Sequence, residues 1–240
     1  MIRSYIAARG NVAPFLGVHF FQESIQSRDG GGHGLEISAR LSEGEHESYR
    51  FGCSQDHFSY LNAVAIRAKL MAVCLPYEKA GGTYVQSLRM FIGIEKSSLL
   101  KEEIISEIKR VVGVVGGGGG KMVLIIDAGR FESSRVDALL LNNILMLKEC
   151  GVEFALRTVD GFGLNALHLG IYSYIYIDVA GLELQFCAGI EEMKYQELYE
   201  KMCDVGRMYK VRFIAVNLRN HKHFVVAYAM PFDFFQIAKE

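Results

Sequence analysis

The feature that most constrains this chain is an alternation. Short apolar runs recur along it: LRMFIGI at 88–94, KMVLII at 121–126, VEFALRTV at 152–159, YSYIYIDVA at 172–180, VRFIAVNL at 211–218 and DFFQIA at 233–238. Between them lie segments with apolar residues at helical spacing. Runs this continuously apolar suit strands buried on both faces, and strands separated by helices argue for a mainly parallel sheet.

The helical segments are predicted over Gln55 to Glu78, Ser97 to Val112, Ser133 to Cys150, Leu164 to Leu169, Glu191 to Tyr209 and Lys222 to Ala229. The first carries Phe58, Leu61, Val64, Ala65, Ala68, Met71 and Ala72 at helical spacing. The second opens on Ser97-Ser98 with Glu102-Glu103 close behind, which suits the positive end of a helix dipole. Gly151 stops the third.

Only the start of the chain breaks the rhythm. FLGVHFFQES and HGLEISARLS, joined by the glycine-rich stretch Asp29 to Gly34, read as an antiparallel hairpin. About eight strands with no domain break favour one unit over residues 1–240: a modified (β/α)8 barrel, its first strand starting near residue 15. No sensor or second catalytic domain is expected within it.

Composition narrows the function classes. Net charge is −1, with no basic or acidic block, so there is no electrostatic footprint for direct nucleic-acid binding. No apolar run approaches the length of a membrane span, and the N-terminus is too broken for a signal peptide. Five scattered cysteines, Cys53, Cys74, Cys150, Cys187 and Cys203, show no paired spacing and are expected as free buried thiols. The expectation is a cytoplasmic protein without a cofactor.

Gly116 to Gly120 leads from a helix into a strand, the reverse of a phosphate-cradling loop. It is expected to be a flexible link on the barrel's bottom face. His221-Lys222-His223 is expected as a solvated turn, since residues two apart do not share a helix face. Tyr172, Tyr174 and Tyr176 alternate with smaller or aliphatic residues, a core pattern for a barrel strand. The helix over Asp137 to Cys150 is apolar around more of its circumference than one core stripe requires, which points to a protein partner or self-association.

The order of these segments resembles an EAL domain, the bacterial family whose active members hydrolyse cyclic di-GMP. The likeness runs from about Phe15 to Gln236. The signature E-A-L-L-R is similar to Glu36-Ile37-Ser38-Ala39-Arg40, and K-I-D to Tyr176-Ile177-Asp178. KECGVEFAL resembles the approach to the family's D-D-F-G loop. The closing strand, helix and glutamine fit Phe213 to Ile237 without a gap, which puts the glutamine at Gln236.

The resemblance implies divalent metals held by carboxylates and an asparagine at the strand ends. Carried over residue by residue, most of that set is missing. Glu36 remains, but the asparagine falls at Gly93 and the two glutamates of E-x-T-E at Ile125 and Ala128, with Asp127 on the threonine. The paired aspartates fall at Arg157 and Thr158; a shifted alignment places Asp160 on one of them. The lysine of K-I-D is Tyr176, and the glutamates of A-E-G-V-E are Val216 and Arg219.

Hard cations need oxygen ligands, and a two-metal site needs several shared between ions. The expectation is therefore a non-enzyme with no metal, in which Glu36, Arg40, Arg157, Asp160 and Gln236 are remnants of a ligand site. The first reading is a regulator that binds another protein, of the type that engages a transcription or motility regulator. The alternative partner is cyclic di-GMP itself, bound without metal and without hydrolysis. An active phosphodiesterase, with Asp127 and Asp160 joining Glu36, is the third.

Overall fold

The structure, a computed structural model, describes residues 18–41, 55–79, 88–128, 134–158, 169–186 and 191–237. Eight strands close into a barrel in chain order. They are β1 (Val18–Ser27), β2 (Gly32–Leu41), β3 (Arg89–Gly93), β4 (Lys121–Asp127), β5 (Glu153–Thr158), β6 (Tyr174–Asp178), β7 (Arg212–Val216) and β8 (Phe234–Ile237). Strand β1 runs antiparallel to both neighbours, β2 and β8, and every other pairing is parallel. The hairpin and the modified (β/α)8 barrel expected from the sequence are thus both present.

Six α-helices are described: α1 (Gln55–Lys79), α2 (Glu102–Gly117), α3 (Ser134–Glu149), α4 (Val179–Phe186), α5 (Glu191–Tyr209) and α6 (His221–Ala229). Period-two alternation divides each strand between two cores. Phe91, Val123, Ile125, Ala155, Tyr174, Tyr176, Ile214, Val216 and Phe234 fill the barrel interior. Met122, Leu124, Ile126, Ile175 and Ile177 face outward and pack with residues such as Ile104, Ile108, Val111 and Val115 from the buried stripe of α2. Both faces are covered, which is why these strands read as unbroken apolar runs.

The structure corrects several expectations. The helix expected over Ser97 to Val112 is two elements, a 3-10 turn at Lys96–Leu100 and then α2. Lys101 is extended between them, and the Leu99 carbonyl accepts from Asn143 Nδ2 of α3 at 2.8 Å. The strand expected to run to Ala180 stops at Asp178, and α4 begins at Val179. Asp178 Oδ1 accepts from the Gly181 N–H at 2.9 Å, satisfying one of the free donors of the new helix. Most of the helix expected at 164–169 lies outside the described residues, which begin again with a 3-10 turn at Leu169–Ile171.

The glycine run is not simply a link. Gly116 and Gly117 complete α2, and Gly118 and Gly120 lie against the buried ring of Tyr77 from α1. A Cβ at either of the latter two would run into that ring. The sequence needs glycine there because a tyrosine fills the space.

His223 is buried rather than solvated: its Nδ1 accepts the Arg219 N–H at 3.1 Å, and Asn220 caps α6 by accepting from the His223 N–H at 2.9 Å. Of the cysteines, Cys74 is buried as expected, Cys203 is half-buried and Cys150 is exposed. Cys53 and Cys187 lie outside the described residues.

Candidate functional site

The C-terminal ends of the parallel strands form the barrel mouth, where barrel enzymes of this architecture place their chemistry. Inward-facing positions there bring together residues far apart in sequence. Glu36 on β2 is 7% exposed, and Arg157 Nη2 donates to its Oε1 at 2.6 Å. Gln236 Nε2 donates to Glu36 Oε2 at 2.7 Å and to Glu23 Oε2 at 2.5 Å. Glu23 stands directly opposite Glu36 in the β1–β2 register. One glutamine amide therefore sits between two carboxylates, and a guanidinium closes the other side of Glu36.

Two further groups complete the cluster. Lys69, from α1, donates to the Gly93 carbonyl at 3.0 Å, at the end of β3. Burial lowers its ammonium pKa from the usual value, Glu36 pulls it back up and Arg157 pushes it down, so it feels both members of the ion pair. Tyr176 on β6 is fully buried, and its hydroxyl, which faces the Glu36 carboxylate, makes no hydrogen bond of ordinary geometry among the described residues. Burial first, and then the Glu36 carboxylate, push the phenol well above its ordinary range, so it stays a neutral donor. The Arg157 guanidinium lies 5.4 Å over the Tyr176 ring. Burial opposes the charge on Arg157, but Glu36 more than offsets this and holds the guanidinium above its ordinary pKa.

The register explains why Arg157 reaches Glu36. Arg157 pairs with Asp127 of β4 on one side and Tyr176 of β6 on the other. Gly93 of β3 pairs with Ile125, which is buried, and a Cβ at Gly93 would meet nothing within 4 Å. The Arg157 side chain therefore shares this end of the interior with neighbours that present no competing carboxylate at Gly93 or Ile125.

Of the residues expected at the site, Glu36, Arg157 and Gln236 are brought together. Arg40 lies on β2, in register with His19, with its side chain outside the described set. Asp160 lies outside the described residues. Glu23 and Lys69 were not found by sequence reasoning. Glu23 had a signal, since alternation puts it on the same strand face as buried Ile25; Lys69 had none, being one cation within a helix. Among the described residues, no three His, Cys, Asp or Glu side chains gather so as to hold a metal.

The sequence matches no family model and no curated protein. Solved structures do match the fold. The EAL enzyme Bd1971, in its cAMP- and cyclic-di-GMP-bound form, aligns with a TM-score of 0.64 at 11% identity over 92% of this chain, which spans 60% of the Bd1971 chain. The PaMucR phosphodiesterase in complex with cyclic di-GMP aligns with a TM-score of 0.64 at 11% identity, over 92% of this chain and 93% of that one. The Bacillus subtilis YkuI protein, in complex with its substrate cyclic di-GMP and calcium, aligns with a TM-score of 0.63 at 14% identity, over 91% of this chain and 53% of that one. At these identities the likeness establishes architecture: the chain has the EAL fold, a modified barrel with its first strand antiparallel. No helix among the described residues is long and apolar enough to cross a membrane.

Proposed function

We propose that this chain is a cytoplasmic regulatory protein on the EAL barrel that does not hydrolyse cyclic di-GMP and acts by contact with another protein. The observation that carries the reading is the 2.6 Å ion pair between Arg157 and Glu36. Divalent metals are held by carboxylate and carbonyl oxygens. Here one Glu36 oxygen takes a guanidinium and the other takes the Gln236 amide. Gly93 and Ile125, where the EAL resemblance expects further ligands, offer no side-chain donor atom. This donor set does not suit a pair of metals ~3.5–4 Å apart sharing ligands.

With chemistry removed from the mouth, function moves to the surface. Val136, Leu139 and Leu145 of α3 are 36%, 52% and 44% exposed, which supports the expectation of a protein partner or of self-association on that helix. A transcription or motility regulator is the class of partner that the resemblance suggests.

A second reading, a cyclic di-GMP receptor without hydrolysis, is favoured by one observation: the buried Tyr176 hydroxyl makes no hydrogen bond of ordinary geometry among the described residues, beside a guanidinium whose planar fork suits phosphate oxygens. Calorimetric titration with cyclic di-GMP, with magnesium and then with a chelator, separates the readings. No heat in either buffer supports the protein-contact reading, and binding that survives the chelator supports the receptor. Binding that vanishes with the chelator contradicts both.

A further inference from the structure

The opposite end of the barrel carries a second polar cluster, built from the first residues of successive strands. Arg89, Lys121, Glu153, Tyr174, Arg212 and Phe234 open β3 to β8, and His33 stands at the second position of β2. The Tyr174 hydroxyl is its hub. Arg212 Nη2 lies 2.6 Å away and can only donate, so the phenol oxygen accepts there. His33 Nε2 lies 3.1 Å from the same oxygen. Glu153 accepts from Arg89 Nε at 3.0 Å and Lys121 Nζ at 3.1 Å, and its carboxylate also faces the Tyr174 hydroxyl. The phenol has one proton to give, and Glu153 and His33 Nε2 both stand ready to accept it.

The cluster has more donors than acceptors. Arg212 lies 4.7 Å over the Tyr174 ring and 5.5 Å over Phe234, and has no carboxylate within 4 Å among the described residues. Asp233, nearby in the chain fold, accepts the Phe213 N–H at 2.7 Å. One carboxylate, Glu153, thus serves Arg89 and Lys121, and the half-buried guanidinium of Arg212 is left with a neutral phenol. His33 is stacked on Phe234 with centroids 3.7 Å apart and 20° between planes. Its pKa is lowered to about 4, by burial first and then by Arg89 and Arg212, so near neutral pH it adds a donor without adding charge.

We propose that the barrel floor binds a small oxyanion, a phosphate or a carboxylate, against Arg212 and Arg89, beside the His33 imidazole. A guanidinium fork matches both oxyanions bidentately, and charge-assisted bonds in a half-buried setting are the strong ones. The site is separate from the mouth and stands whether or not the mouth hydrolyses a nucleotide.

The test is NMR of the full chain, with the His33 imidazole resonance assigned by its loss in His33→Gln. Sodium phosphate and sodium acetate are titrated separately near neutral pH, at ionic strength held constant with chloride. The expected result is a saturable shift of the His33 signal and a rise of its titration midpoint from about 4. A response to phosphate alone assigns the phosphate class, and a response to acetate alone the carboxylate class. Arg212→Gln should weaken binding by about tenfold or more, the size of one charge-assisted hydrogen bond. Arg157→Gln at the mouth should leave it unchanged. Arg212→Lys keeps the charge without the fork and should bind with intermediate affinity, which guards against a misfolded glutamine variant. A His33 signal that does not move with either anion up to tens of millimolar overturns the proposal. So does an equal response in Arg212→Gln.

Discussion

Arg157 and Glu36, 121 residues apart in sequence, meet at 2.6 Å in the barrel mouth, with the glutamate side chain 8% exposed and the arginine 38%. A buried carboxylate left without its cation is costly, and partial exposure of the arginine moderates that cost. Arg157→Gln is expected to destabilise the fold by about 1–2 kcal/mol in urea unfolding. Glu36→Gln combined with Arg157→Gln should recover most of that loss, because no uncompensated charge remains. Simple addition of the two single effects would show that the pair is not coupled.

The two interior tyrosines of β6 should respond oppositely to loss of their hydroxyls. Tyr176 carries a buried hydroxyl with no hydrogen bond of ordinary geometry among the described residues, so Tyr176→Phe is expected to be neutral or stabilising. Tyr174 accepts from Arg212 at 2.6 Å, so Tyr174→Phe should cost about 1–2 kcal/mol. Equal effects in thermal unfolding would contradict the bonding described for the floor and the mouth.

Glycine spacing makes a similar contrast. Gly116 lies within α2 and a Cβ there meets nothing within 4 Å, so Gly116→Ala should stabilise by about 0.5–1 kcal/mol. Gly120 is pressed against Tyr77, so Gly120→Ala should destabilise by about 1–3 kcal/mol. Were the run merely a flexible link, both substitutions would be nearly silent.

These positions also show what the sequence made legible. Strand and helix alternation was readable because each strand is buried on both faces and each helix on one, so the periods are written in the apolar residues. The split between Leu99 and Glu102 was not readable, since it depends on a carbonyl meeting Asn143 from the next helix. Nor was the start of α4: Asp178 ahead of Val-Ala-Gly-Leu is an N-terminal capping signal, but the apolar strand runs straight into an apolar helix and hides it. At the site, Glu36, Arg157 and Gln236 emerged from motif order. Glu23 needed the β1–β2 register and Lys69 needed the packing of α1, neither of which a linear pattern contains.

Acid should weaken the fold through His33. Its pKa falls from 6.5 to about 4 in the folded state, so below pH 6.5 the unfolded chain takes up the proton first. The stabilisation is fully present above 6.5 and is lost as pH falls toward 4. For a half-buried ring this amounts to about 2 kcal/mol. Urea unfolding of wild type and His33→Gln across that window should show the wild type losing more stability by this amount, and parallel curves would remove His33 from the account.

The central claim concerns the mouth, and hydrolysis tests it most directly. The purified chain is incubated with cyclic di-GMP and manganese, magnesium or calcium, and the nucleotide is followed by chromatography. The account predicts that the cyclic nucleotide is recovered intact with every metal, in wild type and in Glu36→Gln alike. Steady conversion to a linear dinucleotide by the wild type, abolished in Glu36→Gln, would contradict it.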